Sequence, residues 1–192
     1  MRISSTTAFK EWAVVIAALA SGNQTLIARK GGISEATGDF ELEHNRFWLF
    51  PTRFHETEES VVPAYRPLLS QLAAQQGSQV EIEIQYFAVV DSVAQITDVH
   101  LLKRLGGRHI WSEHVLEQRF HFGSKPGLHI LLTRVYRRGS PIKLPLLPAY
   151  GGCRSWITLA EPVAGEVTPV LDDTAFARHR EEFHEQFACT HA

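Results

Sequence analysis

Apolar and polar positions recur along this chain with two periods, one typical of helices and one typical of strands. Four apolar residues follow one another at helical spacing near the start: Phe9, Trp12, Ile16 and Leu19. Thr6 or Thr7 can cap this helix, and the Ser-Gly-Asn of residues 21–23 can end it. A second helix is predicted over residues 62–76, with Pro63 in its first turn and Gly77 after its end.

Strand-like patterns fill the middle of the chain. Residues 80–86 alternate most cleanly, and further strands are predicted over residues 24–30, 40–50, 128–138 and 155–159. Ser112 can cap a short helix that reaches Phe120. Asp172 or Asp173 can cap an acidic C-terminal helix over residues 172–188, which carries an apolar stripe of Phe176, Phe183 and Phe187.

These elements predict an α+β fold. Residues 1–192 should form a single compact domain, with a central mixed or antiparallel sheet or small barrel and helices at both termini. By analogy of fold alone, the arrangement is similar to the small PUA-like barrels that read nucleic acids.

Composition narrows the class of protein. Hydrophobic residues make up 44% and charged residues 21% of 192 residues, which argues against disorder. No apolar run is long enough to span a bilayer, and the first residues lack the pattern of a signal peptide. Two cysteines, Cys153 and Cys189, provide no disulfide framework, so we expect a protein of the reducing cytoplasm.

Charge is distributed unevenly along the chain. Residues 103–143, here called the basic stretch, hold nine basic side chains against two acidic ones, whereas residues 161–192 hold seven acidic against two basic. The basic stretch can serve an anionic partner. Alternatively, the acidic C-terminal region folds back over the basic stretch and neutralises it.

The densest mixture of polar and aromatic residues lies in residues 29–56. Its carboxylates and imidazoles, Glu41, Glu43, His44 and His55, can bind a divalent cation or share general acid and base roles, or they can form a structural hydrogen-bonded cluster. We predict that this segment lines the principal concave site. Lys30 and Trp48 would stand in its wall, and Arg154 would reach in to bind a phosphate or carboxylate or to pair with Glu43.

Three Gly-Gly doublets lie beside basic residues, in residues 30–32, 106–108 and 151–154. Paired glycines can turn backbone N–H groups toward a phosphate, or they can simply make tight turns. Five aromatic residues near these doublets can stack on bases or belong to the core: Trp48, Trp111, Tyr136, Tyr150 and Trp156.

Several phrases together resemble a bacterial family, the domain-of-unknown-function family 1802. They include "AFKEWAVVIAAL", "RKGGI", "FELEHNRFWLFPTRFHE", "HIWS", "LLTRVYR" and "YGGCRSW", and the resemblance runs over about residues 8–159. The family has no assigned activity, so the resemblance implies no catalytic residue. It does imply a nucleic-acid context, connected with restriction or defence.

The leading hypothesis is a non-enzymatic nucleic-acid-binding module. Its candidate contact residues are Lys30, Arg104, Arg108, Arg134, Arg137, Arg138, Arg154 and Trp48. It needs no cofactor.

Two other functions remain open. One is a metal-dependent phosphoester hydrolase, which would bind a divalent cation and use Glu43, His44 and His55, with Glu41, as ligands or bases. The other is an interaction protein that docks a protein partner on the acidic C-terminal helix, for which the stripe of three phenylalanines must be exposed.

Overall fold

The structure is a computed structural model, and it describes residues 1–30, 42–53, 56–74, 80–123 and 125–187. The strands are β1 (Arg2–Trp12), β2 (Leu26–Arg29), β3 (Arg46–Thr52), β4 (Glu81–Ile96), β5 (Leu128–Pro145) and β6 (Trp156–Pro169). The α-helices are α1 (Ala13–Ala20), α2 (Arg66–Ala74), α3 (Glu113–His121) and α4 (Asp173–Phe187). Short 3-10 turns cover Glu58–Ser60, Pro63–Tyr65, Val99–Leu105 and Pro148–Tyr150.

Within the described residues, six strands form one sheet in the order β2-β5-β4-β3-β1-β6. The sheet closes on itself because β5, the second strand of this order, also pairs with β6, the last strand, through Tyr136–Pro169, Arg137–Thr168 and Arg138–Val167. One edge of the long strand β5 therefore pairs first with β2 and then with β6, and the sheet closes into a small barrel. The pair β1–β3 is parallel and the other pairs are antiparallel. The predicted α+β domain with a small mixed barrel is confirmed.

Two apolar clusters lie on opposite faces of this sheet. One fills the barrel and includes Trp48, Ile84 and Phe87. The other packs helices α1, α3 and α4 on the outside and includes Phe9, Trp111 and Phe183. Each strand that contributes to both clusters is covered on both faces, which explains why β3 and the middle of β4 lack a polar side.

The prediction of a helix over the first apolar repeat is wrong at its start. Residues 2–12 form β1, and α1 begins only at Ala13. β1 pairs with β3 on one edge and with β6 on the other, so long-range hydrogen bonds outweigh the helical spacing of Phe9 and Trp12. Thr6 and Thr7 are not caps; the carboxylate of Glu56 accepts a hydrogen bond from the Val14 N–H (3.0 Å) in the first turn of α1.

The other elements follow the sequence more closely. α1 ends where predicted, with Ser21 as its C-cap and Gly22 at φ +74°. Ser112 caps α3 by accepting a hydrogen bond from the Val115 N–H. β3 continues past Pro51, because at that point only its β1 edge is paired and the missing N–H removes no bond to β4. None of the helices in the described part of the chain is long and apolar enough to cross a membrane.

Candidate functional site

A cavity of about 340 Å³ opens between α3 and the ends of β1 and β2. Trp12, the last residue of β1, forms one side of the cavity. Ala28 and Arg29 at the end of β2, with Lys30 after them, form another side. α3 contributes the side facing them, and Ser60 and Ser155 complete the wall. Backbone hydrogen bonds from Ser112 to Ser60 and from Val62 to Ile110 hold the Ser60 segment beside α3. The volume is in the range of sites for small ligands.

Arg29 is fixed in this wall by a buried carboxylate. Its Nη2 lies 3.3 Å from Oε2 of Glu11, whose side chain is fully buried while that of Arg29 is 20% exposed. The other oxygen of Glu11 accepts a hydrogen bond from the Trp12 N–H (2.8 Å). Arg29 also donates to the carbonyl of Lys10, and its guanidinium lies 4.4 Å from the centre of the Phe9 ring. These contacts leave the guanidinium little freedom to move.

Arg119 reaches the same cavity from α3. Its Nη1 donates to the Ala28 carbonyl (3.2 Å), and its guanidinium lies 4.5 Å from the Trp12 ring and 5.4 Å from the Trp111 ring. Burial, and to a lesser degree repulsion by Arg29, lowers the pKa of Arg119 to about 10, although attraction by Glu11 opposes this change. Arg119 therefore stays charged at neutral pH, in a poorly hydrated position where an anion would stabilise it.

The described lining holds three cationic side chains and no acidic one, since Glu11 lies behind Arg29. The third cation is Lys30, which donates to the carbonyl of Lys125. Phe122 lies at the end of α3 with 52% of its surface exposed, while Trp12 is half-buried. The cavity thus combines positive charge with aromatic surface, and it suits a ligand that carries both an anionic group and a planar apolar one.

In the Gly151-Gly152 turn near this cavity, the Gly151 N–H donates to the Pro148 carbonyl (2.9 Å) and is not presented to a ligand. The Nζ of Lys10 donates to both carbonyls, at 3.1 Å for Gly151 and 3.0 Å for Gly152. Burial, followed by repulsion from Arg154, lowers the pKa of Lys10. Arg154 is exposed beside Ser155, so this doublet is a turn fixed by an amine, and Arg154 stands next to the cavity lining.

The basic stretch does not form one exposed face. α4 packs over part of it: Glu182 pairs with Arg108 (3.4 Å), Asp173 pairs with Arg134, and the carbonyl of Gln186 accepts from Arg104 (3.1 Å). The acidic C-terminal region therefore folds back on the basic stretch, as in the second interpretation of the charge pattern. Arg119 belongs to the cavity instead, and Lys143 pairs with Glu83 on β4.

Other predicted contact residues serve the barrel. Trp48 is fully buried inside it and donates from Nε1 to the Val163 carbonyl (3.2 Å), so it is not a wall of the concave site. Arg138 donates to the carbonyls of Ala164 and Ser140 at the seam between β5 and β6. Arg137 is exposed. Trp111, Tyr150 and Trp156 are buried in the core as well.

The predicted cluster of carboxylates and imidazoles is only partly described. Glu43 and His44 are both exposed, and the His44 ring lies 5.3 Å from the Trp156 ring in an edge-on contact. Glu41 and His55 lie outside the described residues. Among the residues that the structure describes, no three His, Cys, Asp or Glu side chains come together as metal ligands.

The exposed stripe that the third functional hypothesis requires is not observed. Phe176, Phe183 and Phe187 are 3–5% exposed and belong to the outer apolar cluster, so they offer no exposed stripe to a protein partner.

The predicted concave site and this cavity share Arg29 and Lys30. The sequence pattern does not single out Glu11, Trp12 and Phe122, because the helical spacing places the first two in a helix. Arg119 was counted only as one of nine basic residues. One local feature of the sequence distinguishes Arg119 from the other basic residues. It lies in the short helix predicted after Ser112, together with two acidic residues, Glu113 and Glu117.

Comparison with known proteins gives a family and a set of similar structures. Crystal structures of a protein named ASCH from Zymomonas mobilis are similar to this chain. For its Y47F mutant the identity is 17% and the TM-score 0.44, with 91% of this chain and 96% of that chain covered. For the protein without a mutation the values are 16% and 0.43, with 91% and 93% covered. No curated protein matches the chain. A family model described as "Domain of unknown function (DUF1802)" matches residues 8–182, which include the whole cavity lining and most of α4, and the chain therefore belongs to that family.

Proposed function

We propose that the protein is a nucleic-acid-binding module whose main contact is the cavity between α3 and the ends of β1 and β2. The observation that carries this proposal is the lining itself: among the described residues, Arg29, Lys30 and Arg119 meet there without an acidic side chain. Arginine guanidinium groups bind phosphate through paired, charge-assisted hydrogen bonds. The exposed ring of Phe122 and the half-buried ring of Trp12 offer surfaces on which a base can stack.

The basic stretch is the competing contact surface in this proposal. Three of its arginines already bind α4, which supplies two carboxylates and a carbonyl oxygen. Nucleic acid would have to displace these partners, whereas the described lining of the cavity holds no acidic side chain and the carboxylate that pairs with Arg29 lies behind it. We therefore place the binding energy in the cavity.

Fluorescence anisotropy with single- and double-stranded DNA and RNA, at low and moderate salt, tests the proposal. We expect binding that weakens steeply with salt, because phosphate contacts release counterions. Lys30→Gln should weaken binding and lower the salt slope by about one. Lys103→Gln removes an exposed cation of the basic stretch and is the matched control. Failure to bind any of the four nucleic acids at low salt would contradict the proposal.

Variants of the α4 carboxylates distinguish binding at the cavity from binding at the basic stretch. Asp173→Asn and Glu182→Gln remove the acidic partners of Arg134 and Arg108. If the cavity is the contact, both variants should bind like the unmodified protein. Markedly tighter binding by these variants, together with no effect of Lys30→Gln, would assign the contact to the basic stretch instead.

A further inference from the structure

The lining of the cavity changes from buried to exposed in one direction. Ala28, Val115, Ser60 and Ser155 are 0–8% exposed, whereas Phe122 is 52% exposed. The cavity therefore has a buried side at these four residues and an exposed side at Phe122.

The charge of the cavity distinguishes the end of a strand from its interior. An internal phosphodiester carries one negative charge, whereas a terminal phosphate monoester carries about −1.5 to −2 at pH 7. Arg29 and Arg119 repel each other in this cavity, and in the described part of the chain the buried carboxylate that contacts Arg29 is that of Glu11. Lys30 adds a third cation at the lining. A dianion balances this set better than a monoanion does.

The volume of the cavity limits the size of the ligand. About 340 Å³ is at the small end of the range of small-ligand sites, enough for a single nucleotide and too little for a base pair with its backbone. The aromatic rings of Trp12 and Phe122 favour a ligand with a planar base over a bare phosphate group.

From the three cations and the two aromatic residues of the described lining, we infer that the cavity takes the terminal phosphate monoester of a single strand together with its end nucleotide. This inference rests on the proposed nucleic-acid-binding function and names the part of the nucleic acid that the site recognises. The phosphate lies beside Arg29 and Arg119, and the base stacks against Trp12 or Phe122.

The test compares single strands of one sequence, labelled at an internal base, with a 5′-phosphate, a 3′-phosphate, hydroxyl groups at both ends, or no ends because the strand is circular. We expect one phosphorylated strand to bind at least about tenfold more tightly than the hydroxyl and circular strands, equivalent to one further charge-assisted hydrogen bond. The preference should shrink at pH 5, where a phosphate monoester becomes a monoanion.

Variants of the lining residues test whether the preference for a phosphorylated strand arises in the cavity. Arg119→Gln should abolish the preference, and Lys30→Gln, at a less buried position, should reduce it even if Arg119→Gln does not fold. Lys103→Gln should leave it unchanged. A nucleoside monophosphate should compete with the strand at lower concentration than inorganic phosphate does.

Each other outcome has a defined meaning. Equal binding of all four strands would overturn this inference and leave the proposed function standing. No binding of any strand would overturn both. A preference that survives both cavity variants, or equal competition by inorganic phosphate, would show that the cavity does not hold a terminal nucleotide.

Discussion

At the scale of single residues, the buried carboxylate of Glu11 is the polar group on which the site depends most. Removing it leaves the largely buried Arg29 without its acidic partner, and the loss of one partner of a buried pair costs much more than the pair contributes. We predict that Glu11→Gln lowers the free energy of unfolding by about 3 kcal/mol. Urea unfolding measures it. Glu83→Gln breaks the exposed pair with Lys143 and should change the value by less than about 0.5 kcal/mol, so equal losses would contradict the prediction.

A second residue, Glu56, makes the stability of the folded protein depend on pH. Burial raises the pKa of its carboxyl, although hydrogen bonds from Val14 and Ala13 oppose this change. Because the folded state binds the proton more tightly than the unfolded state, Glu56 makes folding less favourable as pH rises through the ordinary pKa of a glutamate, and this penalty is absent below it. Glu56→Gln keeps the oxygen that accepts from Val14 and cannot ionise.

We therefore predict that Glu56→Gln is more stable than the unmodified protein at pH 7 and equally stable near pH 4. Urea unfolding at the two pH values checks this. Glu81→Gln, at an exposed position on β4, controls for the loss of one charge. A Glu56→Gln variant that is less stable at pH 7 would mean that the hydrogen bonds dominate over burial.

At the scale of elements, α4 is held by its aromatic residues more than by its ion pairs. Phe183 is 3% exposed and contacts Phe187 with ring centres 4.9 Å apart. We predict that Phe183→Ala lowers the free energy of unfolding by about 3–5 kcal/mol. Asp173→Asn removes the partner of Arg134, but Asp173 is 91% exposed, so we expect a change below about 1 kcal/mol. Thermal and urea unfolding measure both, and a larger loss from Asp173→Asn would reverse this order.

At the scale of the whole molecule, the barrel depends on a narrow seam between β5 and β6. Gly165 on β6 has φ +157°, and a Cβ there would lie 2.6 Å from Nε of Arg138. Arg138 in turn donates from that Nε to the Ala164 carbonyl (3.2 Å). We predict that Gly165→Ala lowers the free energy of unfolding by about 1–3 kcal/mol, through backbone strain and the loss of this hydrogen bond.

A double-mutant cycle identifies the contact with Arg138. In an Arg138→Ala background, Gly165→Ala should cost less, because the close approach is gone and only the backbone strain remains. Gly139→Ala on β5 is the control, since a Cβ there meets no atom within 4 Å. Equal costs in both backgrounds would show that the seam does not depend on this contact.

Some features of this protein were determined by the sequence alone, because they depend on neighbours within a few residues. Four features are local patterns: the end of α1 before Gly22, the Ser112 cap of α3, the alternation at the start of β4 and the aromatic stripe of α4. The α+β class follows from such patterns, and so does the presence of a basic pair, Arg29 and Lys30, at the end of a short strand.

Only the tertiary structure decided the rest, because the relevant partners are distant in sequence. Residues 2–12 become a strand since β3 and β6 pair with both of their edges, and neither pairing leaves a signal in the local spacing. Carboxylates of α4, which lies further along the chain, neutralise two arginines of the basic stretch. Arg29 and Arg119 in the cavity wall and Glu11 behind it come from three elements. An ion pair between largely buried groups depends on where the backbone places them rather than on their spacing in the sequence.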